Sequence, residues 1–335
     1  MGSWLCRREA PASAGDAVPE APPATPAPSK PRLDPKDFMV MNAKGVTVVR
    51  PPGAIAGQQF IIDTADDCDI FLFDYSAQVT VDFATNCRIF IGPCESSVFL
   101  RDCRRCRVVC ACQQLRTRDC ADVDLMLFCS TQPSIETTRD LRISCFQYSY
   151  FSLAEQFQSA KLSVWNNQWF RVHDFNETDG EVHYRLATTR QSGSDVLGRR
   201  ASQACHVISD AEVDMTSPVP FTEGRKVQDV WFALVIDRAE QRAHDVLDVW
   251  LHEGACLLET RQGTLTKSQT DLLFLHGGTV DSALKRRATS STLIGMRFDG
   301  TGKAPSAQDG TFVADDPQIA QYMSNCYFQQ FLPTI

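Results

Sequence analysis

Cys68-Asp69-Ile70-Phe71-Leu72, Cys87-Arg88-Ile89-Phe90-Ile91 and Cys106-Arg107-Val108-Val109-Cys110 share one order: a cysteine, a charged residue, then three apolar ones. Val123-Asp124-Leu125-Met126-Leu127 and Leu141-Arg142-Ile143-Ser144-Cys145 continue it with the cysteine replaced, and the starts lie 19, 19, 17 and 18 residues apart. Between them runs a second register of short segments: Phe60-Ile61-Ile62, Val79-Thr80-Val81, Val98-Phe99-Leu100, Leu115-Arg116-Thr117 and Ile135-Glu136-Thr137. Turn formers such as Asn86, Asp102, Asp119 and Asp140 separate the two registers. Two strands in so short a repeat cannot make hairpins of constant register, but they suit coils stacked one on another. Side chains alternate along a strand, so stacking generates columns. Ile70, Ile89, Val108, Leu125 and Ile143 form an aliphatic column that must point inward. Asp69, Arg88, Arg107, Asp124 and Arg142 form a charged one that must point outward. The reading is a mainly β N-terminal domain over 34–189, a right-handed parallel β-helix.

The rest of the chain divides around this domain. Residues 1–33 are dominated by Pro and Ala and cannot bury enough apolar surface to fold, so they read as a tether. Residues 190–226 are polar with little periodicity and read as a linker. Over 227–335 the pattern alternates. A strand is expected at 230–236 and a helix at 238–253, where Ala243, Val246, Leu247, Trp250 and Leu251 fall at helical spacing. A strand at 255–260, a helix near 268–275, a strand at 291–298 and a closing helix at 316–331 complete a smaller α/β domain.

Composition narrows the function. The 33 Lys and Arg against 41 Asp and Glu leave a net charge of −8, which argues against a nucleic-acid binder. No run of 18 apolar residues is present to cross a membrane as a helix. Met1-Gly2-Ser3-Trp4-Leu5-Cys6-Arg7-Arg8 lacks the apolar centre of a signal peptide, so the 14 cysteines are expected to be reduced. Cys103-Arg104-Arg105-Cys106, with Cys110 and Cys112 close by, has zinc-like spacing. However, Cys106 shares its column with Cys68 and Cys87, and that column continues as Val123 and Leu141, which suits a small buried hydrophobe rather than a ligand. No metal is expected.

The outward residues of the second register are Ile61, Thr80, Phe99, Arg116 and Glu136, with Arg118 two places beyond Arg116 on the same face. At a coil spacing of about 4.8 Å, Phe99, Arg116 and Glu136 should be neighbours. An exposed Phe beside an Arg can be a recognition patch. On pattern alone a solvated face, with an Arg–Glu pair worth about 0–1 kcal/mol, is the simpler reading.

Longer motifs change that balance. Asp34-Pro35-Lys36-Asp37-Phe38, Pro52-Gly53 and Ala56-Gly57-Gln58-Gln59-Phe60 lead into Phe90-Ile91-Gly92-Pro93 and Ser97-Val98-Phe99. Ala111-Cys112-Gln113-Gln114-Leu115-Arg116-Thr117-Arg118-Asp119-Cys120 follows, then Thr131-Gln132-Pro133-Ser134-Ile135-Glu136, Asn166-Asn167 and His173-Asp174-Phe175. Over 34–177 these motifs resemble the tubulin-binding cofactor C domain family, the Cys-Gln-Gln-x-Arg-x-Arg run being the most specific. The resemblance implies a β-helix that accelerates GTP hydrolysis by an ADP-ribosylation-factor-like small GTPase in its GTP form, with GTP and Mg held by the GTPase and no cofactor of its own. It implies that Arg116 is an arginine finger and that Ser96, Ser97, Gln113, Gln114 and Leu115 lie near the nucleotide. By the same likeness Phe99, Arg118, Glu136 and Phe175 meet the GTPase.

The likeness extends to both ends. Gly2 is placed for a myristoyl group and Cys6 for a palmitoyl group, although Cys6 stands where the acceptor pattern has Ser or Thr, and Ser3 where the family has its acylated Cys. One acyl chain holds a membrane weakly, so two signals are needed. The implied location is the cytoplasmic face of the plasma membrane, the ciliary base and the cilium. The C-terminal domain resembles nucleoside diphosphate kinase, with a ferredoxin-like arrangement. His276-Gly277-Gly278-Thr279 precedes the strand it should follow, so no kinase activity is expected. The alternatives are a tubulin-folding protein, with tubulin as partner, and a scaffold that binds a small GTPase without activating it.

Overall fold

The computed structural model of the chain describes residues 34–178, 180–198, 217–276, 281–314 and 316–331. Gly2, Cys6, the tether and the middle of the expected linker lie outside the described residues. The chain divides after Asp34 into two units, and Pro35–Ile335 is the unit that holds every described helix and strand.

A parallel β-helix forms the first part, its strands stacked into one 12-stranded sheet wound on itself. The longest, Arg88–Arg101 and Arg104–Arg118, run through a bend and supply two faces of a coil each. Ile70 stacks on Ile89, Val108, Leu125 and Ile143 in the predicted register. None of the five is more than 1% exposed, and burying each is worth about 1.5–3 kcal/mol. The corners repeat as well. Asp67, Asn86, Arg105, Asp122 and Asp140 all have positive φ, as do Thr64, Phe83, Asp102, Asp119 and Thr137 three residues earlier. Asn and Asp tolerate this left-handed conformation better than most residues, which is why they punctuate the repeat.

The charged column also keeps its register, with Arg88 ion-paired to Asp69 and Arg142 to Asp124. Asp69 is nonetheless buried beneath that pairing. Cys106 stands beside Val123, and Val123 beside Leu141, as the column pattern requires. Cys68, Cys87 and Cys106 are buried, and their thiols donate to the carbonyls of Asp66, Thr85 and Arg104 at 3.2–3.4 Å. Burial pushes the Cys94 and Cys145 thiols up to about 11.

One outward column breaks the rule of polar outer faces. Phe71, Phe90, Val109 and Met126 point away from the coil interior yet are fully buried. The chain beyond the last full coil folds back over them. Tyr148 lies 4.7 Å from the Phe90 ring, and Phe157 on the helix Leu153–Ser159 joins the same cluster. The stretch expected as linker takes part: Val196 and Leu197, on the helix Gly193–Leu197, enter this cluster. Further along, Thr222 accepts the Trp169 indole N–H at 2.9 Å.

The second part is a four-stranded antiparallel sheet in the order Leu257–Gly263, Leu293–Asp299, Val230–Val235, Thr311–Val313. The helix Ala239–His252 covers one face, packing Ala243, Val246, Leu247 and Trp250 against it. The helices Lys267–Leu273, Ser282–Ser290 and Pro317–Asn325 accompany the other, the last running on as a π-helical turn at Cys326–Phe331. The helix Ser282–Ser290 and the strand Thr311–Val313 were not anticipated, since Lys285-Arg286-Arg287 and a three-residue strand carry little periodic signal.

Side chains bind the two parts tightly. Trp165, from the folded-back segment, is buried among residues of the helix Ala239–His252 and the sheet, and the Thr260 hydroxyl donates to its carbonyl at 2.7 Å. Gln262 N–H donates to Asn166 Oδ1 at 2.7 Å, and Arg171 forks onto Glu259.

Candidate functional site

The strand Arg104–Arg118 ends with its side chains alternating cleanly. Leu115 and Thr117 are buried inside the coil, while Arg116 and Arg118 are exposed. Thr117 meets its hydroxyl requirement inside, 2.9 Å from the Thr138 hydroxyl. Arg116 lies between Phe99 on one neighbouring coil and Ser134 on the other. Arg118 lies between Arg101 and Glu136. The expected column of Phe99, Arg116 and Glu136 is therefore corrected by two residues. Thr117, not Leu115, is level with Ile135, because this coil is 18 residues long rather than 20. An even slip keeps every side chain on its face, so Glu136 remains outward but beside Arg118.

Phe99, Arg101, Arg116, Arg118, Glu136 and Phe175 together line a surface groove of about 270 Å³. Phe175 N–H donates to the Ile135 carbonyl at 3.0 Å, which adds its ring, 65% exposed, to the Glu136 end. The preceding Asp174 bonds His183 Nδ1 at 2.6 Å, and that contact raises the imidazole pKa above its ordinary value.

The three arginines of the groove are not equivalent. Arg101 is clamped by Asp82 through two bonds of 2.6 Å, which raises its pKa further. Arg118 faces Asp119 at 3.4 Å. The Arg116 side chain has no hydrogen bond or ion pair among the described residues, so its guanidinium stands uncommitted on a strand fixed by its backbone ladder. Arg101 escaped the sequence reading, although its spacing of 19 residues from Asp82 is the same as that of Arg88 from Asp69 and marks a cross-coil pair.

The residues expected near a nucleotide divide. Gln114 is level with Ser97, whose hydroxyl donates to Gln114 Oε1 at 3.2 Å. Leu115 turns its side chain into the core. Ser96 and Gln113 open instead into a cleft of about 590 Å³ shared with Lys161, Arg261 and Gln262. Other motif residues hold the scaffold. Asn167 Oδ1 accepts the amides of Cys129 and Trp169, and a Cβ at Gly92 would meet the Asp74 carbonyl oxygen at 2.5 Å. His276 is exposed, edge-on to the Tyr322 ring at 4.7 Å and ahead of the strand Leu293–Asp299, while residues 277–280 of its motif lie outside the described residues.

The family model Tubulin binding cofactor C matches residues 57–175, the span that builds this groove. Protein XRP2 of Gallus gallus is 33% identical over 318 residues, covering 90% of this chain and 88% of that one. The chain belongs to the XRP2 family. This is the retinitis pigmentosa 2 branch of the tubulin-binding cofactor C proteins. Tubulin Binding Cofactor C from Leishmania major is similar over 48% of this chain and 92% of its own, with 19% identity and a TM-score of 0.32. A nucleoside diphosphate kinase from Aquifex aeolicus is similar over 30% of this chain and 96% of its own, with 12% identity and a TM-score of 0.25.

Proposed function

We propose that this XRP2 family member is a GTPase-activating protein that inserts Arg116 into the nucleotide site of an ADP-ribosylation-factor-like small GTPase. The observation that carries this reading is the inequality of the groove arginines: Arg101 and Arg118 face carboxylates, and Arg116 does not. A finger must leave its own protein and meet phosphate oxygens, so a guanidinium already held by Asp or Glu is poorly suited. During γ-phosphoryl transfer negative charge spreads over those oxygens, and a planar, permanent cation stabilises it. GTP and Mg belong to the GTPase, and this chain contributes charge and orientation. Stacked coils hold the strand still, which preserves the positional advantage of the finger. Glu136 and Phe175, at the far end of the groove, contact the GTPase without touching phosphate, while Gln113, Gln114, Ser96 and Ser97 approach the nucleotide from the other side.

Acylation of Gly2 and Cys6 holds the protein at the cytoplasmic face of the plasma membrane and at the ciliary base, where the GTPase releases lipidated cargo. The C-terminal domain has no kinase role in this reading. Tubulin is the alternative partner, supported by the match to the cofactor C family model. Single-turnover GTP hydrolysis, measured across a panel of purified ADP-ribosylation-factor-like GTPases and tubulin, tests the proposal. Stimulation of one such GTPase supports it. Binding without stimulation makes the protein a scaffold, and stimulation of tubulin alone makes it a folding cofactor.

A further inference from the structure

Stacked coils turn through one left-handed corner, occupied in order by Asn42, Thr64, Phe83, Asp102, Asp119 and Thr137. Asn and Asp tolerate positive φ, and the two threonines are tied down by hydroxyl bonds, Thr64 to Asp63 and Thr137 to Asp119. Phe83 has neither advantage. Its φ is 53°, a conformation that a bulky residue rarely adopts, and its ring is 58% exposed, so little burial offsets the strain. Strain of this kind persists at positions selected for something other than stability.

The position of the ring says what that is. Phe83 follows Asp82, whose carboxylate clamps Arg101, so it stands just beyond the Arg101 end of the groove. Phe175 stands at the other end, four coils away, about 20 Å at the spacing of stacked strands. The strand of Arg116 lies midway between them. On the Phe83 side the same face continues through Thr80 to an exposed Ile61. The groove alone is smaller than a protein partner needs, since a stable interface takes about 20–30 residues a side. Uncovered aromatic side chains at its edge are the anchors such an interface uses.

We propose that Phe83 is a docking anchor for the small GTPase, its ring and that of Phe175 gripping the partner on opposite sides of the finger. The proposal rests on the reading of Arg116 as that finger and extends the docking face toward the first coils. The strained corner is kept for this contact.

Phe83→Asn gives the corner the residue that Asn42 already supplies, and so separates the two roles. The full chain is titrated with the panel of ADP-ribosylation-factor-like GTPases, each loaded with a non-hydrolysable GTP analogue, beside denaturant unfolding. The expected result is an unfolding midpoint at or above that of the wild type, with GTPase affinity weaker by about tenfold or more. Phe83→Tyr, which keeps the ring, should bind as the wild type does. Single-turnover stimulation at saturating activator should be unchanged in both, since neither touches Arg116. Undiminished affinity in Phe83→Asn overturns the proposal, as does a lowered midpoint, which would make the ring part of the corner's own structure. Loss of self-association or of vesicle binding in place of GTPase binding also overturns it, giving the face to a second copy or a lipid surface. Failure of the finger reading is distinct: the wild-type chain then binds without stimulating, whereas no binding to any panel member overturns both.

Discussion

Replacing Arg116 with alanine separates a catalytic role from a structural one, because the geometry assigns the residue almost no structural work. Its side chain is exposed and makes no hydrogen bond or ion pair among the described residues, while its neighbours Leu115 and Thr117 hold the coil from inside. Arg116→Ala should therefore change stability by no more than about 0.5 kcal/mol. If Arg116 is the finger, stimulated hydrolysis should fall by about 10³–10⁵, or about 4–7 kcal/mol of transition-state stabilisation. Arg116→Lys should fail nearly as badly, since an ammonium lacks the planar fork. Arg118→Ala is the control on the same face. It removes a contact to Asp119 at 3.4 Å between groups 54% and 46% exposed, worth about 0–1 kcal/mol, and should keep most of the stimulation. The assay is single-turnover hydrolysis with the activator in excess, alongside thermal unfolding of each variant. Wild-type stimulation by Arg116→Ala, or its loss in a folded Arg118→Ala that still binds the GTPase, refutes the assignment.

Three further outcomes are expected. Glu259→Gln leaves Arg171 and Arg297 without their shared buried carboxylate and should cost about 3–5 kcal/mol in denaturant unfolding; an unchanged midpoint contradicts the pairing. Cys106→Ala removes a small buried group and should cost about 1 kcal/mol with no change in metal content, whereas stoichiometric zinc lost on this substitution overturns the packing role. Gly2→Ala should release the protein from membranes and Cys6→Ser should weaken its retention, as read by fractionation; mass spectrometry finding an unacylated Gly2 in the native protein defeats both.

The β-helix was legible because its signal is repeated. Five coils place an aliphatic residue at the same step, and a strand's alternation then dictates which columns face in, so Ile70 through Ile143 and the outward Arg116 follow from spacing alone. The turn residues Asn86, Asp102, Asp119 and Asp140 were legible for a local reason, since their corners need a left-handed backbone. The C-terminal sheet was legible through the apolar run beginning at Val230 and the helical spacing of Ala243 to Trp250.

Contacts between segments distant in sequence required the folded chain. Parity along a strand survives a slip of two residues, so the sequence put Glu136 on the correct face while only the hydrogen-bonded ladder placed it beside Arg118 rather than Arg116. No local pattern could say that Phe71, Phe90, Val109 and Met126 would be buried from outside, because the cover comes from Tyr148 and Phe157 after the last full coil. The same holds for charge. Arg101, Arg116 and Arg118 are alike in composition, and it is the carboxylates of Asp82 and Asp119, brought near by stacking and by the turn, that commit two of them and leave Arg116 available. Local chemistry and period decide which way a side chain points, but its neighbours depend on coil length and chain return, which are settled only when the whole core closes.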